Sequence, residues 1–468
     1  MTRGEKSMKE LLVAEINANK SKIVVLDDDP TGVQTVHDVS VYTDWSEESI
    51  ERGFAESGKL FYILTNSRSM SEEETERVHR DIARRTMAVS ERTGIPFIIM
   101  SRSDSTLRGH YPLETEVLRD EIEKAGGRID GEILCPFFKE GGRFTIGNVH
   151  YVRLGGELVP AAETEFAKDK TFGYTKSSIP EYIEEKTKGR YKAEDVTCIS
   201  LEELRCGDID GIEQKLMDVS DFGKVCLNAE DYDNLETFSI AFYRALSKGK
   251  TFIFRTAAGE VKTLGGISDK PLLNRNEMIV NETENGGIVV VGSHTDMTTK
   301  QLNELLKLEN VVPVEFNSDK VLEGDEAFYG EVDRCIKEEE RIISEGKTAV
   351  CFTRRKLLSF DDDTPESALM RSVKISDGVQ KLVGGLSVTP AFVIAKGGIT
   401  SSDVGTKALK VKRANVMGQI RPGIPVWQTG PESKFPMTPY IIFPGNTGSE
   451  TDLRMAVEIL EGGKSNEE

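Results

Sequence analysis

Short, near-continuous runs of aliphatic and β-branched residues alternate with charged segments of helical period along most of the chain. Runs 22–26 (KIVVL), 60–64 (LFYIL), 96–100 (PFIIM) and 131–135 (GEILC) read as buried strands. Helical patterns occupy 71–90 and 113–125 between them. Strands and helices in alternation call for a parallel sheet covered by helices on both faces. A polar stretch at 274–287 (NRNEMIVNETENGG) interrupts the series, and a second one follows. Its strands are expected at 288–291, 348–353, 391–395 and 440–443, with helices over 298–308 and from Thr451 onward. The expected fold is therefore α/β, with two α/β domains of mostly parallel sheet, 1–275 and 285–463, and a ligand cleft between them. The region 150–210 is polar and turn-rich and yields no clear element.

Charge narrows the partners. Lys and Arg number 60 against 79 Asp and Glu, a formal net charge of −19, which argues against a general nucleic-acid or anionic-membrane binder. No apolar run approaches the ~20 residues of a membrane helix, and the N-terminal MTRGEKSMKELLVAE lacks the apolar core of a signal peptide. Cys135, Cys198, Cys206, Cys226, Cys335 and Cys351 form no CxxC pair, so reduced structural thiols in a cytoplasmic protein are expected. GxxxxGK[ST], GxGxxG and HExxH are all absent, and the histidines are dispersed, so no metal-ligating residue is nominated. His37 and His110 fall near candidate ligand loops but read as structural, as do Trp45 and Trp427. The run Lys337–Arg341 (KEEER) reads as a solvated helix face.

In sheets of this kind ligands gather beyond the carboxyl ends of the strands. The first strand ends in Asp27, Asp28 and Asp29, followed by the turn Pro30-Thr31-Gly32. Adjacent carboxylates repel, so such a cluster needs cations, donors or substrate hydroxyls around it. It reads as a general base or a hydroxyl-binding site, or else as an acidic turn capping the next helix. After the strand at 96–100 comes Ser101-Arg102-Ser103-Asp104-Ser105-Thr106-Leu107-Arg108-Gly109, where the guanidiniums suit a carboxylate or phosphate and the hydroxyls a polyol. Three loops of the second series are rich in glycine and hydroxyls: Gly292–Thr295, Lys396–Asp403 and Pro444–Ser449. Each follows a strand and leads into a helix, where free backbone N–H groups can bind phosphate.

Taken in order, these segments resemble the four-carbon acid sugar kinase family, which includes threonate, erythronate and 3-oxo-tetronate kinases. The likeness spans about 20–460 and rests on DDxTG (Asp28–Gly32), DSTLRG (Asp104–Gly109), the Gly-Ser loop, KGGxTS (Lys396–Ser401) and PGNxG (Pro444–Gly448). It implies an N-terminal acid-sugar-binding domain and a C-terminal nucleotide-binding domain, acting together as an ATP-dependent kinase. It further implies Asp28 and Asp29 as catalytic carboxylates, and Arg108, Asp104, Ser105 and Arg102 around the acid sugar. ATP would be held by Ser293, Gly397, Gly398, Thr400, Ser401, Gly445, Asn446 and Gly448, with Mg²⁺ bridging its phosphates. The chain departs from the family at Thr295, where GSxS is common, and in the segments 137–148 and 164–178, which mark a subgroup. A homodimer is compatible with this reading. Its rivals are a metal-dependent lyase or aldolase on sugar acids, and a non-catalytic sensor of a sugar acid or nucleotide.

Overall fold

The computed structural model describes residues 7–463 apart from 282, 357, 359, 361, 362 and 446. The chain divides into two units, 1–269 and 270–468. In the first, the strands are β1 (Lys22–Asp27), β2 (Val39–Tyr42), β3 (Leu60–Leu64), β4 (Phe97–Arg102) and β5 (Gly131–Cys135). The antiparallel ribbon β6 (Arg143–Ile146), β7 (Val149–Leu154) and β8 (Glu157–Pro160) comes next, and β9 (Thr197–Ile199), β10 (Gly223–Leu227) and β11 (Phe252–Thr256) complete the set. The main sheet runs β2–β3–β1–β4–β11–β5–β10–β9 with every one of these pairings parallel.

The second unit contains β12 (Ile288–Val291), β13 (Val311–Phe316), β14 (Thr348–Thr353), β15 (Val393–Lys396), β16 (Arg413–Arg421), β17 (Ile424–Thr429) and β18 (Pro439–Phe443). Their order is β13–β14–β12–β15–β18–β17–β16, parallel as far as β18 and antiparallel through β17 and β16. Two α/β domains with mostly parallel sheets are thus what the strand–helix alternation led us to expect. No helix among the described residues is long and apolar enough to cross a membrane.

Both cores follow from the patterning. Every residue of β1 is buried, and the helix Glu72–Thr93 lays Val78, Ile82, Ala83 and Val89 against that sheet. Ser71 and Glu74 form a capping box at its start, and Gly94, at φ +69°, ends it in the left-handed conformation. Each aliphatic side chain so buried is worth roughly 1.5–3 kcal/mol. In the second unit Val289, Val291, Ile394, Ile441 and Phe443 form the inner sheet face under Leu453, Val457 and Leu460.

In each sheet one strand marks the reversal of strand order. β1 lies between β3 and β4, and β12 lies between β14 and β15. Crossovers leave these strands in opposite directions, opening a crevice at their carboxyl ends.

Three expectations need correction. The region 150–210 carries β7, β8, β9 and the helix Ile179–Lys186. Its strands are short and polar on one face, so no run of apolar residues announced them. The helix expected at 298–308 begins earlier, at Asp296, because Thr295 caps it. The KEEER run is not wholly solvated. Glu339 is fully buried, one turn from Cys335 and one from Ile342 and Ile343, on the inward stripe of the helix Asp325–Ser344. The charged run conceals the 3.6-residue period that places it there.

Glu339 has the Cys351 thiol as its polar neighbour, and burial pushes its acid up to about 8 from an ordinary 4.5. An acid whose pKa rises on folding stabilises the folded state below the unfolded pKa and loses that stability as pH climbs toward the folded one. Stability should therefore fall between pH 4.5 and 8 by up to about 1.4 kcal/mol per pH unit from this group. Urea denaturation of Glu339→Gln should lack this slope, so that its advantage over the native chain grows by about 3 kcal/mol from pH 5.5 to 8.5. Parallel pH profiles for the two proteins would refute the assignment.

Candidate active site

The carboxyl edge of β1 concentrates charge. Parallel register sets Asp27 opposite Arg102 of β4, whose Nη1 lies 3.2 Å from Asp27 Oδ1 and 3.6 Å from Asp28 Oδ1. Arg102 is buried beneath the carboxylates and acts as their internal counter-ion. Past β3 the chain turns through Asn66, at φ +57°, into a short 3₁₀ turn that carries Arg68 back over the same edge. Arg68 grips Asp28 with two bonds, Nη2 to Oδ1 at 2.7 Å and Nε to Oδ2 at 3.1 Å. Its Nη1 lies 3.5 Å from Asp29 Oδ2 and 3.7 Å from Asp104 Oδ1. Arg68 thus joins three of the carboxylates, and Arg102 supports them from below.

Position in this stack sets each acid's behaviour. Burial, resisted by Arg102 and reinforced by Asp28 and Asp29, pushes Asp27 up to about 7. Burial also raises Asp28 despite Arg68. For Asp29 burial is outweighed by Arg68 and by Thr31, whose N–H and hydroxyl donate to Oδ1 at 2.8 and 2.5 Å, and the acid falls below its usual range. Asp104 is likewise held far down: burial opposes, but Arg68 and Arg108 prevail. Side-chain exposure separates the two candidate bases, 18% for Asp29 against 2% for Asp28. Gly32 is required here: a Cβ would fall 2.1 Å from both oxygens of Asp27.

Arg108 donates from Nε to Asp104 Oδ2 at 2.8 Å, and its Nη1 lies 3.8 Å from Asp169. Ser105 is buried, and its carbonyl accepts from His150 Nε2 at 2.8 Å. Asp28, Asp29, Arg102, Asp104 and Arg108 are therefore linked by contact, with Ser105 in the same loop. Sequence reasoning missed Arg68 and Arg255. Arg68 lies four residues past a recognised strand, where the rule applied to the other loops would have found it. Arg255 is the penultimate residue of β11, a strand not foreseen; it pairs with Glu114 at 3.0 Å and donates to the Arg108 carbonyl at 3.0 Å. Gly109, at φ +124°, admits that contact, since a Cβ would stand 3.0 Å from Arg255 Nη2. His37 pairs with Asp38, and His110 bonds the Met70 carbonyl, both structural roles.

In the second unit the three glycine loops interlock. Gly292 and Ser293 donate N–H groups to the Lys396 carbonyl, and Gly397 donates to the Phe443 carbonyl at 2.9 Å. Thr295 and Thr298 hydroxyls donate to the Gly445 carbonyl at 3.2 and 3.1 Å. Lys396 is buried and donates to the Pro444 and Gly445 carbonyls; burial draws it down to about 7. A Cβ on Gly292 would fall 2.2 Å from Thr400 Oγ1, and Gly397, at φ +122°, has Ser293 Cβ 3.1 Å from where its own would be.

These loops wall a cavity of about 490 Å³ lined by Ser293, Gly397, Gly398, Thr400 and Gly445. The helix Pro365–Gly384, an element the sequence reading did not identify, adds Ile375 and Val379 to the lining together with Arg371, Ser372 and Ser376. Ser401 turns its hydroxyl to the Ala395 carbonyl, and Gly448 packs on Asp452, so neither is among the described lining residues. Asn446 lies outside the described residues. The cavity thus combines glycine backbone and hydroxyls with a helix that brings both apolar and polar side chains, Arg371 among them.

Residues 23–264 match the family described as a sugar-binding N-terminal domain, and 288–453 match its companion, a nucleotide-binding C-terminal domain. The chain belongs to this family. Within it, the acid cluster falls in the sugar-binding domain and the glycine loops in the nucleotide-binding domain. A Salmonella typhimurium LT2 protein named provisionally as a tRNA synthase has a similar fold, with 16% identity and a TM-score of 0.66 over 93% of this chain and 98% of that one. Haemophilus influenzae HI1011 is similar too, with 14% identity and a TM-score of 0.61 over 93% of this chain and all of that one. No functionally curated protein matches the sequence.

Removing Arg68 takes a shared counter-ion from three carboxylates at once, Asp28 most of all. Arg68→Ala should cost about 3 kcal/mol of stability, as expected when one partner of a buried pair is lost. Asp28→Asn in the same chain should recover part of that cost. Denaturant titration of the two single variants and the double variant measures the coupling, and strictly additive losses would contradict the arrangement.

Proposed function

We propose that this protein is an ATP-dependent kinase that phosphorylates a hydroxyl of a small sugar acid, such as threonate, erythronate or 3-oxo-tetronate. The observation that carries this reading is the chemistry at the two strand-order reversals. One presents carboxylates and guanidiniums in a sugar-binding domain, the other glycine amides and hydroxyls in a nucleotide-binding domain. Phosphoryl transfer asks for positioning, charge neutralisation and a group to accept the alcohol proton. Asp29 is the better placed acceptor: it is the more open of the pair, and its Oδ1 is occupied by Thr31 while Oδ2 faces Arg68 at 3.5 Å. Asp28, clamped by Arg68, positions rather than reacts.

The glycine loops fit a nucleotide. Gly397 spares a Cβ that would crowd Ser293, and Gly398 beside it lines the cavity with an N–H group that can meet a phosphate oxygen. Ile399, 67% exposed, and the Ile375 and Val379 side chains suit a base and ribose. ATP bound there supplies the phosphoryl group and carries Mg²⁺ on its own phosphates, where the ion keeps several waters. Among the described residues no group of three or more His, Cys, Asp or Glu side chains is arranged to hold a metal. A nucleotide-binding domain favours the kinase over a lyase or aldolase, which would turn over without nucleotide.

Coupled measurement of ADP release with four- to six-carbon sugar acids tests the proposal. Turnover should need both ATP and acid, and Asp29→Asn should lower kcat by about 10²-fold. Gly397→Ala should raise KM for ATP about tenfold with little change in KM for the acid, because the added Cβ strains the loop at positive φ. No turnover across that panel, together with no ATP binding, would overturn the reading.

A further inference from the structure

The resemblance at DSTLRG places Arg108 around the acid sugar, where its guanidinium would be the first choice for the carboxylate. The charge pairing in the sugar-binding domain points elsewhere. Arg68 has three carboxylates within 4 Å, and Arg102 and Arg108 have two each. Arg255 has Glu114. Arg143, the first residue of β6, has none among the described residues, and its Nε is buried without a hydrogen-bond partner. It nevertheless stands in the same site. Its guanidinium carbon lies 5.7 Å from the centroid of Phe166, and that of Arg108 lies 5.2 Å from the same ring.

We infer that Arg143 receives the carboxylate of the sugar acid, and that Arg108 holds Asp104 in place for the hydroxyls. The inference rests on the acid-sugar reading above. A half-buried guanidinium without a counter-ion is costly, and bringing an anion to it recovers that cost. Its planar fork can bind a carboxylate with two parallel bonds, whereas the Nε edge of Arg108 is already committed to Asp104 and Thr106. Phe166 offers its face to both cations, fixing their planes without neutralising them. Burial draws Arg143 below the usual arginine range; Asp104 opposes the fall and Arg108 adds to it, as fits a cation awaiting its partner.

Local backbone supports the placement. The bend before β6 is tight: a Cβ on Gly141 would fall 2.3 Å from Phe138 Cδ1 and 3.2 Å from Arg143 Nη1, and Gly142 sits at φ +74°. Phe138 and Arg143 exchange both backbone hydrogen bonds across that bend. The guanidinium is therefore held on a rigid hairpin, not on a free loop.

The test is calorimetric binding, without ATP, of a four-carbon sugar acid and its neutral amide to the native chain, Arg143→Gln, Arg143→Lys and Arg108→Gln. The native protein should prefer acid over amide by roughly 30-fold, the worth of a charged, bidentate bond. Arg143→Gln should bring that ratio near one through weaker acid binding, with its ATP affinity and thermal midpoint close to native. Arg143→Lys should restore part of the ratio, and Arg108→Gln should weaken both ligands alike. A native-like ratio in Arg143→Gln, or its loss in Arg108→Gln alone, overturns the assignment and leaves the acid-sugar reading standing. Equal binding of acid and amide by the native chain overturns both.

Discussion

Asp27, Asp28, Asp29 and Asp104 could not share one strand edge without cations among them. Two unit charges 4 Å apart interact by about 4 kcal/mol at an effective dielectric constant of 20, enough to unfold a strand end if several repulsions accumulate. Here the parallel register supplies the remedy. β4 brings Arg102 beneath the cluster and the turn after β3 brings Arg68 above it. The reversal of strand order at β1 makes this possible, because β1 alone has both β3 and β4 as neighbours. Asp29 and Asp104 remain the more exposed members of the cluster, at 18% and 11% against 2% for Asp28.

The two domains solve related problems by different means. A chain with net charge −19 has no overall field to attract anions. The sugar-binding domain relies on side-chain guanidiniums, most of them already satisfied by aspartates. The nucleotide-binding domain packs its strand-end loops together through glycines, at positions where a Cβ would strike Thr400 or crowd Ser293. In the kinase we propose, the first device would select an acid through the directional geometry of a guanidinium fork, and the second would hold a phosphate chain.

Much of the site was legible from order along the chain. Asp28, Asp29, Asp104 and Arg108 were nominated because they follow strands, and the structure draws them into one cluster. Ser293, Gly397, Gly398, Thr400 and Gly445 were nominated on the same ground and line one cavity. What escaped notice has specific causes. Arg255 sits in a strand only five residues long with an internal charge, so its run looked unremarkable. Arg143 lies in a polar ribbon whose strands alternate and carry little hydrophobic signal. Glu339 was hidden by flanking charges although its helical phase faces inward.

The sequence by itself determined which segments become strands and helices, and which residues follow each strand. Apolar runs and capping residues are local, so they act without knowledge of neighbours far along the chain. Only the tertiary structure decided partnership: that Arg68 clamps Asp28, that Arg102 is a buried counter-ion, and that Arg143 stands beside Phe166 without a carboxylate partner among the described residues. The first two outcomes depend on strand order and register, which join residues 40 to 75 positions apart. Charge pairing in a crevice is settled by distance in space, and that distance is set by the sheet.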